Sequence, residues 1–158
     1  MDSLLDTVNG LPVHALIVHA VVVLLPLATV GAMLMIAWPS FGRRFGVLVV
    51  IVAGIGAGSA VIARLSGEQL AERVGTPVPH ADLGAWLPAI AIGFFVVVAA
   101  YWLFARGIPQ NRPRPGWLVG LGVVVVLASL FTLWWTIRVG DSGANAVWSG
   151  IIESTNPR

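Results

Sequence analysis

The chain contains no cysteine and no lysine, and only 10% of its 158 residues carry a formal charge. Without cysteine there are no disulfides, thiolate zinc sites or cysteine-bound iron–sulfur clusters. All nine basic residues are arginine, a bias that fits a GC-rich bacterial source. They lie scattered in short connections, so the pI of about 10.5 describes no patch suited to nucleic acid. Neither a serine–histidine–carboxylate order nor a histidine–glutamate zinc motif occurs, which leaves hydrolytic catalysis without support.

Apolar residues, by contrast, make up 58% of the chain. A soluble domain of this length has too much surface for its volume to hide them, so lipid is the solvent for most of the molecule. Four segments are long enough for the roughly 20 helical residues that cross a hydrocarbon core: 13–38, 47–63, 85–104 and 117–137. In lipid each must satisfy its own backbone groups, and the alternation of a membrane strand is missing. The expected fold is therefore an all-α bundle of four transmembrane helices, up-down-up-down, forming one domain.

Charge gives that bundle a direction. Arg43 and Arg44 fall in the first connection and Arg106, Arg112 and Arg114 in the third, with no acid in either. The seven acids lie at the two ends of the chain or in the second connection, 66–83. The positive-inside rule then places the first and third connections in the cytoplasm and both termini outside a bacterial plasma membrane. The acidic start, with no small-residue cleavage site after the first apolar run, argues against a cleaved signal peptide. Trp38, Trp102 and Trp117 fall at the inner interface, and Trp86, Trp134 and Trp135 at the outer one, as membrane anchors.

Within this frame, 68–73 is expected to carry the second helix outward until Gly75-Thr76-Pro77 stops it. Gly54 and Gly58 stand four apart on one helix face, a spacing that lets membrane helices approach, in the bundle or in a homo-oligomer. Pro26 interrupts the backbone bonding of the first span and frees a carbonyl near Val22. The segment 138–158 is expected as an outer tail. It either lies loose or folds over the mouth of the bundle, bringing Asp141 and Asn145 with it.

Three histidines stand out in so apolar a chain: His14, His19 and His80. The topology puts all three at the outer side, and an ionisable residue inside a span is a functional-site hypothesis by default. Five helical residues turn through roughly 140° and rise about 7.5 Å, so His14 and His19 do not share one ligand. Pairing across helices is easier, with His19 and His80 as the favoured couple. Imidazoles from two helices of a bundle are the usual axial ligands of a haem b. The leading expectation is therefore one-electron transfer between a quinone or membrane donor and an outer-face acceptor. The alternative is a copper or zinc binding or transport module. Arg64 and Arg138 could meet haem propionates or pair instead with Glu68, Glu72 or Asp141. A metal set would draw on His14, His19, His80 and Glu68. A third reading has no cofactor at all: the histidines bond backbone or headgroups, and the protein is an accessory subunit.

The stretch Leu11-Pro12-Val13-His14-Ala15-Leu16-Ile17-Val18-His19 resembles the Leu-Pro-x-His-x-x-x-Val-His opening of a bacterial four-helix membrane family catalogued as domain of unknown function 2231. His80-Ala81-Asp82-Leu83-Gly84 is similar to that family's histidine at the start of its third helix. Ser66-Gly67-Glu68 and the run from Arg138 to Ala144 resemble its actinobacterial branch. This chain departs from many members in having Ala20-Val21 where they have Phe-Pro, and in having no histidine after His80. The resemblance implies a membrane bundle. Because some relatives are fused to Rieske-type or cytochrome-like domains, it also implies redox work near respiratory-chain proteins.

Overall fold

A computed structural model describes residues 7–8, 11–75, 78–109 and 111–155. Four helices account for nearly all of them: α1 (Val13–Ala37), α2 (Pro39–Val74), α3 (Val78–Arg106) and α4 (Gly116–Thr155). Ahead of α1, the two-residue strands Thr7–Val8 and Leu11–Pro12 pair antiparallel. Each of the four helices is long and apolar enough to cross a membrane. The protein is a multi-pass bundle in contact with lipid.

Local chemistry sets the helix ends. Pro12 precedes α1 at φ −59° and ψ 128°, so the helix begins at Val13 rather than with the proline inside its first turn. Trp38 alone separates α1 from α2, and Pro39 occupies the start of α2, where a missing N–H costs nothing. Arg43 and Arg44, expected in a loop, therefore lie within the first turns of α2. At its far end α2 stops at Gly75, whose φ of 88° is open to glycine and strained for other residues. The Gly75 N–H bonds Ala71 O at 2.9 Å, closing the last turn. Most of the expected long second connection is thus helix, with α3 starting at Val78. The expected outer tail is also helical, continuing α4 to Thr155.

Contacts advance along one helix as they retreat along the next, so neighbours run antiparallel. Met35, Leu25 and His14 of α1 meet Gly42, Gly56 and Gly67 of α2 in that order. Trp102 and Phe95 of α3 meet Gly46 and Gly54 of α2, and Tyr101 meets Gly122 of α4. The helices close a ring in chain order, with α4 returning to α1. One end of the bundle carries Arg43, Arg44, Arg106, Arg112 and Arg114; the other carries His14, His80 and all the described acids. We call these the arginine end and the histidine end.

The core is built of small side chains. Ala28, Ala32, Ala53, Ala57, Ala60, Ala63 and Ala91 are buried along the shared axis, with Phe94, Tyr101, Leu25 and Met35 filling the wider gaps. Small residues bring backbones close, which is how helices adhere where lipid tails are as apolar as leucine. Several buried serine and threonine hydroxyls bond their own helices: Ser129 donates to Val125 O at 2.7 Å and Thr136 to Thr132 O at 2.8 Å. Leu27, Ile55, Val96 and Leu127 project outward, each more than half exposed, as lipid-facing positions require.

The glycine pair divides. Gly54 lies against Phe95 inside the bundle, where a Cβ would come within 3.2 Å, whereas Gly58 meets nothing within 4 Å. Within the bundle, then, only Gly54 of the pair serves helix packing. The close approaches on α2 belong to Gly42, Gly46, Gly56 and Gly67.

At about 1.5 Å per residue, α2 and α4 are roughly 54 and 60 Å long, against a hydrocarbon core of about 30 Å. Both extend well beyond the short starts of α1 and α3. His14 and His80 sit at those starts, beside the projecting ends of α2 and α4.

Candidate functional site

His14 is the second residue of α1 and His80 the third of α3. Their rings meet at the centre of the histidine end, centroids 6.2 Å apart and nearly perpendicular at 78°. That separation lies within the range of direct edge-to-face contact.

Each ring is tied to the neighbouring long helix. His14 Nδ1 lies 2.8 Å from Ala63 O of α2, and His80 Nδ1 lies 3.2 Å from Val139 O and 3.1 Å from Ser142 Oγ of α4. A carbonyl only accepts, so Nδ1 carries the hydrogen in both rings. The Ser142 hydroxyl spends its own hydrogen on Val139 O at 2.8 Å, leaving its oxygen to accept from His80. In the neutral form both Nε2 atoms therefore hold a free lone pair.

Glycine makes these approaches possible. A Cβ on Gly67 would come within 2.9 Å of His14 Nδ1, and one on Gly143 within 3.1 Å of His80 Cε1. Arg64 strengthens the same region, donating to Ala85 O of α3 at 3.1 Å and to Glu68 at 3.0 Å. Trp135 donates from Nε1 to Leu83 O at 3.0 Å. It thus joins α4 to α3, where the sequence reading made it a membrane anchor.

Beside His80 opens a cleft of about 390 Å³, lined by Leu83, Arg138, Asp141, Ser142 and Asn145 among others. Asp141 and Asn145 thus stand at the mouth of the bundle, carried there by the continuation of α4.

The sequence-derived candidates separate accordingly. His14 and His80 come together; His19 does not join them. It is exposed on the outer face of α1, and its Nδ1 turns back to Ala15 O of its own helix at 2.6 Å. The ring beside His80 is therefore that of His14, not that of His19 expected as its partner. The cause is the helical rotation that already separated His14 from His19: only one of the two can face α3. Glu68 is exposed and paired with Arg64, and Arg138 is exposed on the wall of the cleft. Among the described residues, no three histidine, aspartate or glutamate side chains gather closely enough to hold a metal by themselves.

Sequence reasoning by residue type missed Gly67, Ser142, Gly143 and the carbonyls of Ala63 and Val139. A signal was present: 66–68, 80–84 and 138–144 are the segments that resemble family motifs, and all converge on these two rings.

An antiparallel four-helix membrane bundle with a polar, histidine-centred end defines the class. The chain belongs to the family described as "Predicted membrane protein (DUF2231)", whose model matches residues 10–156. Comparison with curated proteins and with solved structures found no match.

Proposed function

We propose that the protein is a membrane-embedded binding module whose His14 and His80 offer two imidazole nitrogens to a transition-metal ion, copper or zinc, at the histidine end. The observation that carries this reading is the pairing of two Nδ1–H groups with backbone carbonyls, at 2.8 and 3.2 Å, in rings that touch each other. A metal-binding histidine characteristically donates its second nitrogen in this way, which fixes the tautomer and orients the ring. Imidazole suits copper and zinc. The ion would supply a Lewis-acidic or redox centre. The protein's part is to hold both rings, with water or a small ligand from the adjoining cleft completing the coordination.

The haem b reading draws less support from the same geometry. His19, one of the two imidazoles it favoured, stands on the outer face of α1 with its Nδ1 turned back to Ala15 O of its own helix. The positive-inside rule assigns this end to the extracytoplasmic side, where such an ion would meet the bundle from outside.

Protein purified in mild detergent and stripped with chelator tests the proposal by calorimetric titration with copper and with zinc. One ion bound per chain, without porphyrin absorbance, is expected. A sharp haem band in the reduced protein, or no binding of either metal, overturns it.

A further inference from the structure

At the opposite end of the bundle four arginines gather around one space. Arg43 from the first turns of α2, Arg106 from the last turn of α3, and Arg112 and Arg114 from the connection to α4 line one cavity of about 100 Å³, with Trp102 and Met35 in its wall. By the measure in which one water needs about 10–15 Å³, the space holds several waters or one tetrahedral oxyanion.

The stretches that build this end carry no carboxylate side chain: no aspartate or glutamate occurs between residues 7 and 67 or between 83 and 140. Two of the arginines are also held in place. Arg106 lies over the Trp102 ring at 5.0 Å. Arg114 donates to Ile36 O at 2.8 Å and stands 5.9 Å above the ring of Tyr101. A surface cation that serves only to orient a membrane protein is free in water. These are fixed around a common space by contacts that leave donor N–H groups over.

The geometry points to a binding site for a phosphate group, presented by the headgroup of an anionic phospholipid or by free phosphate. Guanidinium donors match phosphate oxygens in fork geometry, and basic pockets at the ends of membrane helices characteristically hold phosphorylated headgroups. The bound anion would tie Arg112 and Arg114 to the start of α2 and the end of α3.

Thermal unfolding of the full chain in detergent, with added phosphatidylglycerol, phosphatidylcholine or inorganic phosphate, tests the site and separates its sources. Phosphatidylglycerol raising Tm where phosphatidylcholine does not, and no response to inorganic phosphate, assigns it to lipid. A rise with inorganic phosphate assigns it to the free anion. In either case the paired variant Arg106→Gln with Arg112→Gln loses at least about tenfold in apparent affinity for the effective probe. Arg44→Gln, which removes an arginine outside the cavity, keeps it. Equal responses to both lipids with none to phosphate, or an equal loss in Arg44→Gln, overturns the proposal. Arg114 is left intact because its bond to Ile36 O supports the fold.

Discussion

The His14 imidazole lies so close to Gly67 that a single methyl group on that glycine would stand 2.9 Å from Nδ1. The bond that ties α1 to α2, from Nδ1 to Ala63 O at 2.8 Å, runs through the space this glycine leaves open. Gly67→Ala should therefore displace the ring and lower stability by about 1–3 kcal/mol, the usual penalty of overpacking. Gly58→Ala meets open space and should leave Tm unchanged or slightly higher. Thermal unfolding of both variants checks the contrast.

Ser142→Ala removes one of two acceptors for His80 Nδ1 and leaves the Val139 carbonyl in place. A loss of about 0.5–1.5 kcal/mol is expected, that of one ordinary hydrogen bond. Metal affinity should fall modestly, because the ring keeps its tautomer. Calorimetry on the variant reads both effects.

Tyr101 is almost wholly buried, and its hydroxyl has no hydrogen-bond partner among the described residues. Removing an unsatisfied polar group of nearly unchanged shape costs little and can stabilise. Tyr101→Phe should accordingly hold or raise Tm. A clear fall would mean that the hydroxyl has a partner supplied from outside the chain.

The absence of native cysteine makes sidedness measurable without background. A membrane-impermeant maleimide applied to intact cells should label Asp141→Cys at the histidine end, and Arg112→Cys only after lysis. The reverse pattern would invert the assigned orientation.

Much of this fold was legible in the sequence because lipid leaves few choices. Apolar runs of sufficient length must be helices, and four of them joined in order make an antiparallel bundle. The helix extensions were less legible. The segment 138–155 is polar and glycine-rich, which reads as loop. It is held instead by tertiary contacts such as His80 on Val139 and Ser142, which no local propensity encodes. At the candidate site, composition singled out the histidines and topology gathered them toward one end of the bundle. The partner of His80 was not accessible, because burial depth in a span says nothing about which face of the helix meets its neighbour. His19 lies deeper than His14, yet its ring faces out of the bundle.

The contrast between those two histidines tests the account most directly. Copper and zinc titrations of His14→Ala, His80→Ala and His19→Ala, run side by side on chelator-stripped protein, decide it. The first two should each lose at least about tenfold in affinity, and His19→Ala should match the unmodified chain. Loss of binding in His19→Ala with retention in His14→Ala would contradict the site described here.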